Sequence, residues 1–312
     1  MELNSSIFVA GHNGLVGSAI VRELNKQGYT NIITMPKEEL DLRDSKMVAW
    51  FFSVYRPEYV FLSAAKVGGI NYNKTFPAEF LYDNLLIQNN VIHYANKYNV
   101  KKLLFLGSSC IYPKNCPQPM KEEYLLDGKL EETNEAYAIA KITGLKMCHY
   151  YKSQYGFNAI SVMPTNIYGI NDNFDLDKSH VIPAMINKFI EGKKTGQAVT
   201  LFGDGLPIRE FIYVDDVADA CIFLMNNYED NEHINIGSSQ GYSIKNLASI
   251  IADKVGFTGD INWDTTKPNG TPIKLLDSSK LNNLGWSPKI DFKEGIEKII
   301  SWYIETGGKR NV

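Results

Sequence analysis

The sequence predicts an α/β fold: a Rossmann-type doubly wound parallel sheet with a smaller α/β unit interleaved in the chain. Three observations support that class. The apolar run Ile7-Phe8-Val9-Ala10 passes through a glycine-rich turn into Ser18–Gln27, where Ala19, Ile20, Val21 and Leu24 recur at helical spacing. Further short apolar runs follow at Asn31–Thr34, Tyr59–Leu62 and Leu103–Leu106, separated by segments long enough for helices, such as Ser45–Tyr55 and Ala78–Tyr98. Strands alternating with helices imply parallel strands joined by crossovers. Beyond Met163 the alternation breaks into the loop-rich stretch Gly169–Lys178, a helical segment at Ile182–Glu191, and a brief return of strand character at Asn235-Ile236-Gly237. The expected division is therefore residues 1–166 with 209–237 in one domain and residues 167–208 with 238–312 in the other.

The first turn reads Gly11-His12-Asn13-Gly14-Leu15-Val16-Gly17. Glycines at 11, 14 and 17 permit a tight turn, close backbone approach to a pyrophosphate and close helix–strand packing, with helix amides aimed at the phosphate. Gly11, Asn13, Gly14, Leu15, Val16 and Gly17 thus form a candidate dinucleotide cradle. In a doubly wound sheet, ligands lie beyond the carboxyl ends of the strands. Ala64-Ala65-Lys66 and Ser108-Ser109-Cys110 fall at two more such ends, which adds Ala64 and Ala65 to the cofactor set. At the end of the second strand, Thr34-Met35-Pro36 has no acid for a ribose diol, and Lys37 offers a cation to a 2′-phosphate. That tilts the choice toward NADP, although a solvated Lys37 is the competing reading.

The 312 residues are 44% apolar and 21% charged with a net charge of −3, so no broad basic field exists for a nucleic-acid partner. No apolar run reaches the roughly 18–20 residues of a membrane span, and the first ten residues carry an acid where a secretory signal wants basic residues. A cytoplasmic location is expected. Cys110, Cys116, Cys148 and Cys221 show no CxxC pairing, so neither a disulfide framework nor a metal site is indicated.

Tyr137-Ala138-Ile139-Ala140-Lys141 sets a phenol and an ammonium four residues apart, on one face of a helix begun near Thr133 or Asn134. A tyrosine of pKa about 10 is a poor acid–base group at neutral pH, and a fixed cation beside it would favour phenolate. Ser108, just beyond a strand, could hydrogen-bond the same substrate oxygen.

These features resemble the extended short-chain dehydrogenase/reductases. Within them, the chain is similar to the GDP-4-keto-6-deoxymannose 3,5-epimerase/4-reductases, the GDP-L-fucose synthase family. The resemblance is carried by Ala64–Ile70, Leu106–Pro113 with its Ser-Ser-Cys-Ile-Tyr-Pro core, Tyr137–Lys141, Val162–Asn166, Asp172-Asn173-Phe174 and Ser179–Pro183. It continues through Pro207–Phe211 and Gly270–Asp277, nearly the whole chain. It implies Ser108, Tyr137 and Lys141 as a reductase triad, with Cys110 and His180 as base and acid of epimerisation. It adds Pro164, Asn166 and His180 around the cofactor, and Ser108, Ser109, Cys110, Asn166, Lys188, Phe202, Arg209 and Lys274 around a GDP-4-keto sugar.

The chemistry is coherent on its own terms. A C4 ketone acidifies the protons at C3 and C5, and hydroxyl donors stabilise the enolate oxygen. Inversion needs removal on one face and return on the other, and a thiol and an imidazole are suitable for this. Where the family often has arginines for the 2′-phosphate, this chain has Asn13 and Met35, so NADH use alongside NADPH is expected. Lys188 stands where an arginine is frequent. A dedicated GDP-4-keto-sugar C4 reductase, hexose or heptose, is the alternative; a non-catalytic nucleotide sensor is a weaker one, and Ser109-Cys110 disfavours a 4,6-dehydratase. The resemblance also implies a homodimer through the helices near Ala78–Tyr98 and Glu135–Gln154.

Overall fold

The computed structural model describes residues 1–175, 179–267 and 269–309. The tail of the loop-rich stretch at 176–178 and the last three positions of the second predicted domain lie outside the described residues. Strand β1 (Ile7–Ala10) is buried throughout, as a continuous apolar run requires when both faces of a sheet are covered. Helix α1 spans Leu15–Lys26, beginning earlier than the apolar spacing indicates because Gly14, in extended conformation, already serves as its N-cap. Then come β2 (Ile32–Ile33), α2 (Ser45–Tyr55), β3 (Tyr59–Leu62), α3 (Ile70–Thr75) and α4 (Pro77–Lys97). Their starts follow local chemistry: the Asp44 carboxylate accepts from the amides of Lys46 and Met47 to cap α2, and Pro77 occupies the first turn of α4, where no amide is missed. Next are β4 (Lys102–Leu106), α5 (Glu135–Tyr155), β5 (Ala159–Pro164), β6 (Asn166–Tyr168), α6 (Val181–Thr195), β7 (Val199–Phe202) and β8 (Ile208–Tyr213). The chain ends with α7 (Val214–Asn227), β9 (Ile234–Ile236), β10 (Gly241–Ser243), α8 (Ile244–Val255), β11 (Ile261–Asp264), β12 (Ile273–Lys274), α9 (Ser279–Asn283) and α10 (Phe292–Thr306).

Six parallel strands form the main sheet in the order β2-β1-β3-β4-β5-β9. The chain moves outward from β1 to β2 and then returns across β1 to β3, so its winding reverses between β1 and β3. Such a reversal opens a crevice at the carboxyl ends of the two strands. A second sheet centres on β8, which pairs antiparallel with β10 and parallel with β12 and β6; β7 and β11 form a separate parallel ribbon. Residues from Arg209 to Tyr213 belong to this second sheet.

The strand period of two divides the core. Ile7 and Val9 pack with Ile20, Leu24 and Val217 on one face, while Phe8 and Ala10 pack with Phe51, Phe52 and Val91 on the other. The first cluster continues through Tyr168, Ile186, Phe211, Ile251 and Ile296, so the smaller sheet and its helices share a core with the main sheet.

Candidate active site

At the reversal point Gly11 has φ +88°, and a Cβ there would lie 2.7 Å from the backbone of Ala64. A Cβ on Gly17 would lie 2.1 Å from the Gly11 carbonyl oxygen, and the Gly14 amide donates to that same oxygen at 2.9 Å. Bare backbone therefore brings β1, the turn and α1 together, leaving the first-turn amides from Leu15 and Val16 onward without intrahelical acceptors. They present the positive end of the helix to the crevice. This cradle fits a dinucleotide pyrophosphate. His12 Nδ1 is buried there with no hydrogen-bond partner among the described residues, and burial holds the imidazole below its ordinary pKa. Ala64 and Ala65 follow β3, Asn13 is half-buried in the turn, and Lys37 is exposed beyond β2. Sequence reasoning missed Arg43, which forks onto Asp41 and reaches Asp83. Its hydrogen bonds, more than the charge of Lys37, keep Asp41 below the usual carboxylate range.

Two strands further, β4 ends at the chemical centre. The Ser108 hydroxyl accepts from the Cys110 amide at 3.3 Å and starts a tight turn over Ser109–Ile111 that buries Ser109 and Cys110, the latter 6% exposed. Helix α5 brings up Tyr137 and, one turn on, Lys141, which is 3% exposed and donates to the Leu106 carbonyl at 2.7 Å. The ammonium lies 5.7 Å from the centre of the Tyr137 ring and 4.9 Å from that of Phe105.

The cation thus covers the face of the tyrosine ring, and its hydrogen bond goes to a backbone carbonyl. The expected acidification of the phenol by Lys141 is not what the geometry produces: burial, and then the charge of Cys110, push the Tyr137 pKa upward. Tyr137 is consequently a phenol, able to give a proton. Burial lowers Lys141 to about 8. It also pushes the Cys110 thiol up, opposed first by the charge of Lys274 and then by Ser108 and Lys141.

Other candidates surround this centre unevenly. Pro164 closes β5, and the Asn166 amide is engaged with the Glu210 carbonyl at 2.7 Å. His180 precedes α6 without capping it through its side chain; it is exposed, and desolvation by the surrounding protein lowers its pKa. No described contact joins it to Cys110.

On α6, Lys188 donates to the Thr200 carbonyl at 2.9 Å and lies 4.8 Å from the centre of the Phe202 ring, which is 57% exposed. Lys267, which sequence reasoning missed, approaches the same ring at 5.8 Å. An open aromatic face flanked by two ammonium groups suits a base with an attached anion. Arg209 and Lys274 are register partners on β8 and β12. Glu131, also missed, pairs with Lys114 and acts electrostatically on both.

Residues 7–237 match the model of the NAD dependent epimerase/dehydratase family. The chain belongs to that family, among the GDP-L-fucose synthases. It is 56% identical over 306 residues to the putative GDP-L-fucose synthase 2 of Arabidopsis thaliana, covering 98% of this chain and 93% of the relative. The GDP-L-fucose synthase of Escherichia coli K12 is 47% identical over 309 residues, 96% of each chain. Among solved structures, MlghC, a GDP-mannoheptose C4 reductase from Campylobacter jejuni with NADP bound, superposes with a TM-score of 0.91 at 41% identity, covering 97% of this chain and 99% of that one.

Proposed function

We propose that this chain reduces the C4 ketone of a GDP-4-keto sugar with NADPH, after epimerising it at C3 and C5. The observation that carries this reading is a buried thiol, Cys110, set beside Ser108, Tyr137 and Lys141 at the carboxyl end of β4. Bound in the Gly11–Gly17 cradle, the nicotinamide cofactor supplies the hydride. The chain's own residues do the rest. Ser108 and Tyr137 hold the C4 oxygen, Cys110 removes a proton from carbon, His180 returns one from the other side, and Tyr137 protonates the C4 oxygen at reduction. Lys141 orients the cofactor ribose, with Pro164 and Asn166 lining its far wall. Phe202 and Lys188 take the guanosine end, Arg209 and Lys274 face the diphosphate, and Ser109 borders the sugar.

The working division remains residues 1–166 with 209–237 for the cofactor and 167–208 with 238–312 for the sugar nucleotide, Arg209 standing at the seam. NADPH is the preferred cofactor and NADH is usable, Lys37 being exposed beyond β2, where a cation supports 2′-phosphate recognition. The exposed Tyr82, Ile139 and Tyr150 on α4 and α5 support a homodimer through those helices, and four free cysteines accord with the reducing cytoplasm. The test is incubation with GDP-4-keto-6-deoxymannose and NADPH, then with the corresponding GDP-4-keto-heptose, with the product configuration determined by NMR. Inverted, reduced hexose supports the proposal. Reduction without inversion makes the chain a dedicated C4 reductase.

A further inference from the structure

Asn235 lies on β9, the edge strand of the main sheet, and is wholly buried, yet the described hydrogen bonds of its side chain all leave that sheet. Its Oδ1 accepts from the Tyr112 hydroxyl at 2.6 Å, and the same hydroxyl lies 3.1 Å from His233 Nε2. Both amide hydrogens are committed as well, one to the Met120 carbonyl and one to the Asp277 carbonyl, each at 3.1 Å. The backbone amide of Asn235 donates to Glu122 Oε1 at 3.0 Å. A buried carboxamide is costly to leave unpaired, so a residue without solvent contact that makes these four bonds is a joint the fold specifies.

The partners lead to different parts of the proposed site. Tyr112 is the second residue after Cys110 and ends the turn that carries the thiol. Met120 and Asp277 are bonded to each other and to the tail of β12 just beyond Lys274: the Met120 amide donates to the Leu275 carbonyl and the Asp277 amide to the Met120 carbonyl, each at 2.8 Å. That tail is also fixed to β8, where the buried Glu210 carboxylate, next to Arg209, accepts from the Leu276 amide at 2.7 Å. Lys274 and Arg209 stand in register on the two strands. Strands β8 and β12 thus form one block bearing Arg209 and Lys274. Asn235 joins that block and the Cys110 turn to a single point of the main sheet.

We propose that Asn235 is a positioning residue of the epimerase, setting the sugar held by the Arg209–Lys274 block against the Cys110 thiol. The inference rests on the function proposed above and adds a residue that, being wholly buried, acts only through others. Displacing a reacting group by about 1 Å costs on the order of 10²-fold in rate, while contacts remote from the reacting atoms persist. Loss of Asn235 should therefore slow proton removal without loosening the nucleotide, since Glu210 still holds β12 to β8.

The test follows solvent deuterium incorporation at C3 and C5 of GDP-4-keto-6-deoxymannose with oxidised cofactor, so that reduction cannot drain the ketone. Asn235→Ala is expected to lower kcat for incorporation about 30- to 100-fold, with KM within about threefold of the parent. Tyr112→Phe, which removes one hydroxyl, is expected to lower kcat about 5- to 10-fold, and the double variant about as much as Asn235→Ala alone, because both act on one joint. Tyr112→Phe carries the comparison should Asn235→Ala misfold. Parental kcat in both single variants overturns the proposal, as does a KM that rises as far as kcat falls, which would make Asn235 a support of binding. Amide hydrogen exchange reads the joint without turnover: Asn235→Ala should deprotect residues 108–112 and 118–122 and leave 208–213 protected. Protection that is unchanged, or lost throughout, overturns the proposal. The local pattern in a protein that transforms no GDP-4-keto sugar would uphold the joint and refute the proposed function instead.

Discussion

Around Gly11, Gly14 and Gly17 the protein leaves side chains out, whereas around Phe202, Arg209 and Lys274 it brings long side chains in. In the first region the contacts are backbone on backbone, and a single methyl group would collide with the Gly11 carbonyl or Ala64. In the second, an exposed ring and several cations stand on different strands with much of their charge unpaired. The first surface is rigid and intolerant. The second is built of long side chains that a similar side chain could replace. A cofactor shared by many enzymes suits the former, and a variable sugar nucleotide the latter.

The largest expected effect lies where the two regions meet. Tyr137→Phe should lower kcat for reduction about 10²–10⁴-fold while leaving binding of the GDP-sugar nearly unchanged, because the phenol acts in proton transfer. Stopped-flow NADPH oxidation with calorimetric binding checks both halves. Near-normal oxidation would remove Tyr137 from the chemistry.

Gly17→Ala comes next. Its Cβ would lie 2.1 Å from the Gly11 oxygen, so the turn must move, at a cost of about 1–3 kcal/mol. NADPH affinity should fall roughly 10- to 100-fold with the thermal transition lowered as well, read by fluorescence titration and calorimetry. Affinity within twofold of the parent would mean the cradle is more pliant than its contacts imply.

On the additive side, Phe202→Ala should raise KM for the GDP-sugar about tenfold with little change in kcat, as loss of one base-stacking partner costs about 1–3 kcal/mol. Phe202→Trp should keep parental KM. Equal losses in both variants would argue against stacking.

Two smaller effects concern charge. Burial places Lys141 near 8, below the usual lysine value. Its ammonium is present below that pH and lost above it, so NADPH affinity should weaken several-fold between pH 7 and pH 9. A flat profile in Lys141→Met is the matching expectation, and the same slope in both proteins would assign it to another group. Lys37→Ala should narrow the NADPH/NADH ratio of kcat/KM by roughly threefold, consistent with an exposed charge. An unchanged ratio would leave Lys37 merely solvated.

What the sequence revealed follows the same contrast. The glycine turn and the Tyr137/Lys141 pair were legible because their geometry is local: a turn, and four residues on a helix. Helix α6 runs on to Thr195, four residues past the expected Glu191, because buried Gly192 and the exposed Lys193, Lys194 and Thr195 add a turn that apolar periodicity does not mark. Strand β2 shrinks to Ile32–Ile33 at the sheet edge, where only β1 offers partners. The approach of Lys267 to Phe202 left no signal at all, because it depends on the pairing of β11 with β7, and no spacing rule connects residues so far apart.

Strands β5 and β6 belong to different sheets, yet only Thr165 separates them. Its amide donates to the Ile236 carbonyl at 2.9 Å and its hydroxyl to the Glu210 carbonyl at 3.2 Å, with Asn166 bonding to the same Glu210 oxygen. One residue tied to both sheets makes a rivet, so relative motion of the two sheets at this seam must break at least one of these hydrogen bonds. In an enzyme engineered for bulkier sugars, surface-loop length is accordingly the first quantity to alter.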